Sequence, residues 1–409
     1  MNYFKESLKK HKETGGKWEI NSKFPLKTKD DLSIAYTPGV ASVCNEIKNN
    51  SNTMYDLSMK GNSVAIVSDG SAVLGLGDIG PKAALPVMEG KAVLFKEFAG
   101  IDGIPIVINA HSIEDIVTTV KTIAPTFGGI NLEDIKAPKC FEIEEALQDI
   151  GIPVFHDDQH GTAIVLLAAM INASKIINKP LEEMKVVING AGAAGTAIAR
   201  LLQCIGQETN LCVPVYDVIV CDSKGIISQD RADLNKYKQK LLGHTNRFNI
   251  SGSLKDALTD ADVFIGVSKG NLLSSEDIRS MAKDPIILAM ANPIPEIMPD
   301  IAKAAGARIV GTGRSDFPNQ VNNVLVFPGI FRGALNARAV RITEAMKIAA
   351  ANALAKCVTN LNEDNILPDP FNKQTAIAIA DAVEQKAKEE GATCYDTGNI
   401  NYETLGINI

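Results

Sequence analysis

Several signals are missing from this chain. It has one tryptophan, five histidines and 5% aromatic residues among 409 residues. There is no basic run interleaved with aromatics, and the net charge is -7, so a broad nucleic-acid surface is not expected. The seven cysteines (Cys44, Cys140, Cys204, Cys212, Cys221, Cys357 and Cys394) form no C-x-x-C pair and no zinc spacing. They read as reduced thiols of a cytoplasmic protein. Residues 1–17 are polar and lysine-rich, without the apolar core of a secretory leader. The most apolar helix candidate, 162–177, is short and interrupted by Asn172 and Ser174. It reads as a core helix and not a membrane span. No internal repeat and no low-complexity segment is found.

What is present is chemistry concentrated in short stretches. Residues 155–163 pack Asp157, Asp158, His156, His160 and Gly161 into one turn ahead of the apolar run Ile164–Ile171. Adjacent carboxylates at the start of a buried helix repel each other unless a cation or a lysine compensates them. The plainer alternative is that one of them caps the helix. Glu133 and Asp134 follow Gly128-Gly129. Neighbouring helical side chains diverge by about 100°, so these two can share one ion only at a strand end or irregular turn. With Asp158 they make an all-oxygen set suited to Mg²⁺ or Mn²⁺. As a pattern it is weak, because acids are commonly just solvated. Lys91 lies beside Val87, Met88 and Phe95 at helical spacing, over a helix read at 86–96. Such a lysine usually snorkels, but if desolvated its pKa falls toward that of a general base. Tyr36 precedes Thr37-Pro38-Gly39 and reads as extended, held either in a core or toward a cleft. The residues 1–30 read as an arm, carrying Trp18.

A second centre begins at 186. The apolar strand Val186–Asn189 runs into Gly190, Ala191, Gly192, Ala193, Ala194 and Gly195 and then a helix. This G-x-G-x-x-G in strand–turn–helix context places a pyrophosphate on a helix N-terminus. Asp222 ends the next strand, later than the usual offset because of an insert at 207–215. An acid there accepts from the ribose hydroxyls and favours NAD, although Lys224 alongside offsets its repulsion of a 2′-phosphate and leaves NADP possible. Asn292 lies in a turn after a strand candidate at 286–289, and Asn323 precedes an apolar segment, 324–327, read as a strand. The pair Asn322-Asn323 is most often a turn, and the alternative is that both aim their amides at a small carboxylate. The expected architecture is α/β: an N-terminal α/β domain at 1–155, a doubly wound Rossmann-type parallel-sheet nucleotide domain with closing helices at 156–390, and a tail at 391–409.

With 35–41, 73–80, 86–91, 131–134, 156–162 and 322–329 read together and in order, the chain resembles the malic enzymes of the short bacterial type. The resemblance spans nearly the whole chain. It implies oxidative decarboxylation of L-malate to pyruvate and carbon dioxide with NAD(P) and a divalent metal. It further implies Glu133, Asp134 and Asp158 as metal ligands, Lys91 as base, Asp157 as its partner, and Tyr36 as the acid that protonates the enolpyruvate carbon. Asn292 and Asn323 would hold substrate carboxylate or the nicotinamide side. A homodimer is implied as well. One departure is that Ala72 and Val73 stand where larger malic enzymes carry a substrate arginine, for which Arg314 is the substitute on offer. Two alternatives remain: a malolactic-type enzyme releasing lactate with NAD kept bound, and a non-enzymatic nucleotide sensor. A sensor has no need of Tyr36, Lys91 and the three acids.

Overall fold

The computed structural model describes residues 3–73, 75–110, 112–205 and 212–394. Leu74 of the glycine-rich loop, 207–211 of the expected insert and the tail from 395 lie outside them.

The first sheet holds β1 (Ser63–Ser68), β2 (Asp102–Val107), β3 (Gly129–Leu132) and β4 (Val154–His156), in the order β2-β1-β3-β4 and all parallel. Every residue of β1 is buried, as its unbroken apolar run requires of a strand covered on both faces. The second sheet holds β5 (Lys185–Asn189), β6 (Asp217–Asp222), β7 (Gly225–Ile226), β8 (Val263–Gly266), β9 (Ile286–Ala289) and β10 (Ile309–Thr312). Its order is β10-β9-β8-β5-β6-β7, parallel except for the short β7. The chain goes from β5 to one side and returns to the other. This places a topological switch point at the carboxyl end of β5, where open α/β sheets bind ligands.

One helix, Asp157–Ile177, joins the two sheets. It leaves β4 directly and packs along the Ala193–Leu202 helix of the second sheet. Val64, Ile66 and Met88 from the first unit share one continuous core with Val186, Ile188 and Ile198 from the second. By length and composition this helix could cross a membrane, but thirteen of its residues are buried here and Asn172 bonds the carbonyls of Ala355 and Ile366. It is the core helix expected from sequence. The closing helices straddle both units. Phe327–Asn336 packs on Gly80–Ala99 through edge-on contacts of Phe95 with Phe327 and Phe331, and Glu344–Lys356 packs on the central helix.

Three local expectations are corrected. Tyr36 is not extended: it closes the helix Lys29–Ala35, started by a capping box of Thr28 and Asp31. The restriction imposed by Pro38 falls on Thr37 instead. Residues 324–327 form no strand. Asn322 accepts from the Val324 N–H to start a 3₁₀ turn, and Pro328 sits in the first turn of the Phe327–Asn336 helix, where its missing N–H costs nothing. Cys204 and Cys212 are not free thiols but a disulfide, with Cα atoms 5.8 Å apart. The pairing closes the eight-residue separation across the insert, a spacing that a search for C-x-x-C does not test.

Candidate active site

Register builds the site. Leu132 pairs with His156 across β3 and β4. The next residues, Glu133-Asp134 and Asp157-Asp158, therefore leave the sheet side by side. Asp134 takes a positive φ of 54°, the irregular turn expected after Gly128-Gly129, and its N–H donates to Asp158 Oδ2 at 2.8 Å. Neither aspartate of the pair caps the long helix: His156 holds that position without a side-chain bond, and both acids lie in the first turn.

Lys91 reaches this corner from the buried face of Gly80–Ala99, beside Met88, Ala92 and Phe95. Its ammonium lies 2.5 Å from Asp157 Oδ2 and 2.8 Å from Glu133 Oε1, with the Phe327 ring centroid 4.1 Å away. Asn131 donates to Glu133 and Asn323 to Asp157 Oδ2, at 2.9 and 2.7 Å. Gly161 stands one helical turn after Asp157, and a β-carbon there would overlap Asp157 Oδ1. Among the described residues that oxygen has no hydrogen-bond partner.

The charge states correct one expectation. Burial pulls the Lys91 ammonium down, but Asp157, Glu133 and Asp158 outweigh it and raise it above its ordinary value. Lys91 is held charged and does not drift toward a free base. Burial pushes Asp157 up to about 8 against the pull of Lys91, and burial also raises Glu133 and Asp158. The corner holds four acids against one ammonium; Glu133, Asp134, Asp157 and Lys91 are buried and Asp158 is half-buried. Such an excess favours a further cation. Among the described residues, however, no three acid, histidine or cysteine side chains stand in a ligating arrangement. Lys91 bridges Glu133 and Asp157 instead.

The glycine turn also has its expected place. Gly190 has a φ of 129°, a β-carbon on Gly195 would strike the Gly190 carbonyl, and nothing lies near Gly192, which opens the Ala193–Leu202 helix. Asn292 sits beyond β9 against Gly313. Asn323 donates to Asp157 Oδ2, which brings its amide to the acid corner beside Lys91. Arg314 forms a two-pronged pair with Asp316, so it does not supply an open carboxylate clamp.

Sequence reading missed the residues that brace these groups. Glu296, fully buried, accepts from the N–H groups of Ser268 and Ala291 and fixes the loops after β8 and β9. Glu144 bonds Gln159 and His160 of the central helix, and His160 meets Lys347 at 3.1 Å. A single acid in a helix, as Glu144, or in a loop, as Glu296, carries no sequence mark for such a role.

Two sequence models of one family match: the malic enzyme N-terminal domain over residues 15–148 and the malic enzyme NAD-binding domain over 159–388. The chain belongs to the malic enzyme family. It is 56% identical over 395 residues to a bifunctional malic/malolactic enzyme of Bacillus subtilis, covering 96% of this chain and 94% of that one. It is 54% identical to an NAD-dependent malic enzyme of Geobacillus stearothermophilus, covering 93% and 79%. An NADP-dependent malic enzyme of Halomonas elongata is 46% identical, with 92% and 91% covered. Among solved structures, the malic enzyme of Pyrococcus horikoshii matches with a TM-score of 0.90 at 46% identity, covering 98% and 94%. The NAD-dependent malic enzyme of Thermotoga maritima matches at 0.88, with 46% identity and 92% and 98% covered. As a malic enzyme, the chain is an NAD(P)-dependent oxidoreductase.

The Glu144 brace gives this malic enzyme a pH signature. Burial raises Glu144, but His160, Lys347 and His156 outweigh it and bring it down to about 2. A depressed carboxyl stabilises the fold above its unfolded value near 4.5 and loses that contribution as pH falls toward 2. The stake is about 3 kcal/mol. Urea midpoints of the wild type should fall over this window, and those of Glu144→Gln should start lower and fall less.

Proposed function

We propose that this malic enzyme oxidises L-malate and decarboxylates the product to pyruvate at the corner where β3 and β4 end, with the domain division at 1–155, 156–390 and 391–409 retained. The buried cluster of Lys91 with Asp157 and Glu133 carries the reading. Lys91 is the group that takes the malate hydroxyl proton. To do so it must first be neutral, and Asp157, 2.5 Å away, is the group placed to take up its proton. Asn323 keeps Asp157 aimed at Lys91. Glu133, Asp134 and Asp158 would hold a Mg²⁺ or Mn²⁺ ion: their oxygens, in excess over the one ammonium, suit such a group by chemistry, although they are not drawn into a ligating set here. When bound, the cation polarises the ketone oxygen of the keto acid, and NAD(P) accepts the hydride. Malate, not a nucleic acid or a membrane, is the partner, and the location is cytoplasmic.

We further infer a homodimer. The helices Tyr3–Thr14, Lys29–Ala35 and Val40–Asn49 bury no residue. Phe4, Leu8, Phe24, Ile34 and Tyr36 are all exposed, Tyr36 at 68%. A seven-residue helix does not persist alone in water, so a second copy is the natural cover. Tyr36 would then serve as the acid of the partner's site.

The test follows nicotinamide reduction with L-malate and Mn²⁺, using each cofactor, with and without EDTA, and assays the product. Metal-dependent reduction with pyruvate is expected. Lactate without net reduction would mean the malolactic reaction, and no turnover would remove this reading. Tyr36→Phe and Lys91→Ala chains should each be inactive alone, yet co-expressed they should recover about a quarter of wild-type activity if sites are shared across a two-fold dimer. No recovery would put both residues in one chain's site.

A further inference from the structure

The end of β6 does not look like an NAD ribose site. Asp222 is the acid expected to accept from the adenosine ribose hydroxyls, but its acceptor positions are already used. Oδ1 accepts from Arg231 at 2.8 Å and from the Lys224 N–H at 2.8 Å; Oδ2 accepts from Arg231 at 3.0 Å and Lys238 at 2.5 Å. A carboxylate offers roughly four lone-pair positions, and all are taken. Asp222 is largely buried under these partners, its side chain 9% exposed. Bound this way, it is held down to about 2 despite its burial.

Arg231 is equally committed, since its remaining N–H groups go to Asp233 and to the carbonyls of Gly225 and Ile226. The lysines are not. Lys238 gives one bond to Asp222 and Lys224 one to Asp233, and an ammonium has about three donors. Two carboxylates face three cations here, so the cluster is net positive. Its position is that of the adenosine ribose: β6 follows the Gly190–Gly195 turn and pairs with β5, and the Lys236–Leu242 helix that carries Lys238 packs on the Ala193–Leu202 helix.

We propose that Asp222 is the anchor of a cationic cradle and not a ribose acceptor, and that Lys238 and Lys224 in this cradle receive the 2′-phosphate of NADP. This rests on the reading of the glycine turn as the nucleotide site. Cations around a saturated acid give a ribose diol little to bond, while a phosphate brings several acceptor oxygens to the lysines.

The test uses calorimetric titration of the full-length protein with 2′,5′-ADP and with 5′-AMP, without malate. We expect 2′,5′-ADP to bind at least about tenfold more tightly, one charge-assisted phosphate contact being enough for that. Lys238→Gln should remove most of the advantage. Lys224→Gln, at an exposed position that does not hold Asp222 through its side chain, should reduce it and keeps the test valid if the first variant misfolds. Equal affinity for the two nucleotides, or an advantage that survives both substitutions, would overturn the proposal while leaving the nucleotide site in place. Binding of neither nucleotide would overturn both.

Discussion

Lys91→Ala should lower malate turnover by about 10²–10⁴-fold, the range for losing one acid–base group. Its effect on stability should depend on pH in a particular direction. The Lys91 ammonium is raised in the fold, so its stabilisation is fully present below its ordinary value of 10.5 and lost only above it. Asp157 and Glu133 are raised by burial even with Lys91 beside them. A raised carboxyl destabilises increasingly as pH climbs from its unfolded toward its folded value. Without Lys91, both acids rise further. Melting temperatures of Lys91→Ala should therefore fall further below wild type at alkaline than at acidic pH. Lys91→Arg separates the two effects: a guanidinium keeps the charge and cannot act as a base. It should recover much of the stability and none of the turnover. Near wild-type turnover in either variant would remove Lys91 from the reaction.

Gly161→Ala should be nearly as damaging, although it changes no functional group. The added methyl overlaps Asp157 Oδ1 and approaches Asn323 Cβ at 3.1 Å. Asp157 cannot retreat without leaving both Lys91 and Asn323. A misplacement of about 1 Å in such a site costs about 10²-fold, and overpacking costs about 1–3 kcal/mol. Turnover and chemical denaturation measured on the same preparation check both figures. Loss of stability with kcat intact would show that Asp157 tolerates displacement.

The parts legible in the sequence were those written within a few residues. The Gly190–Gly195 turn between β5 and its helix and the turn that carries Glu133-Asp134 both declare themselves by spacing. Gly161 was visible as a glycine but for the wrong reason. As a flexible residue in the turn it carries no sign of its use, which is space for the Asp157 carboxylate. What the sequence concealed was how groups far apart along the chain share charge. Lys91 looked like a base and is held as an ammonium by acids 42 and 66 positions away. Asp222 reads as an open carboxylate at a strand end, yet Arg231 and Lys238, 9 and 16 positions on, fold onto it. The Cys204–Cys212 bond depends on a loop closure that no residue pattern announces.

The central helix makes the acid corner sensitive to the posture of the whole molecule. Asp157 and Asp158 ride on its first turn, while its length is embedded against the helix that follows the glycine turn. Asp134 stays with the first sheet, at the end of β3 beside the strand from which the helix starts. The helix is thus a lever with its short arm in the carboxylates. Any tilt of the nucleotide unit against the first sheet must be registered as a change of spacing between Asp134 and Asp158, without an intermediary loop to absorb it.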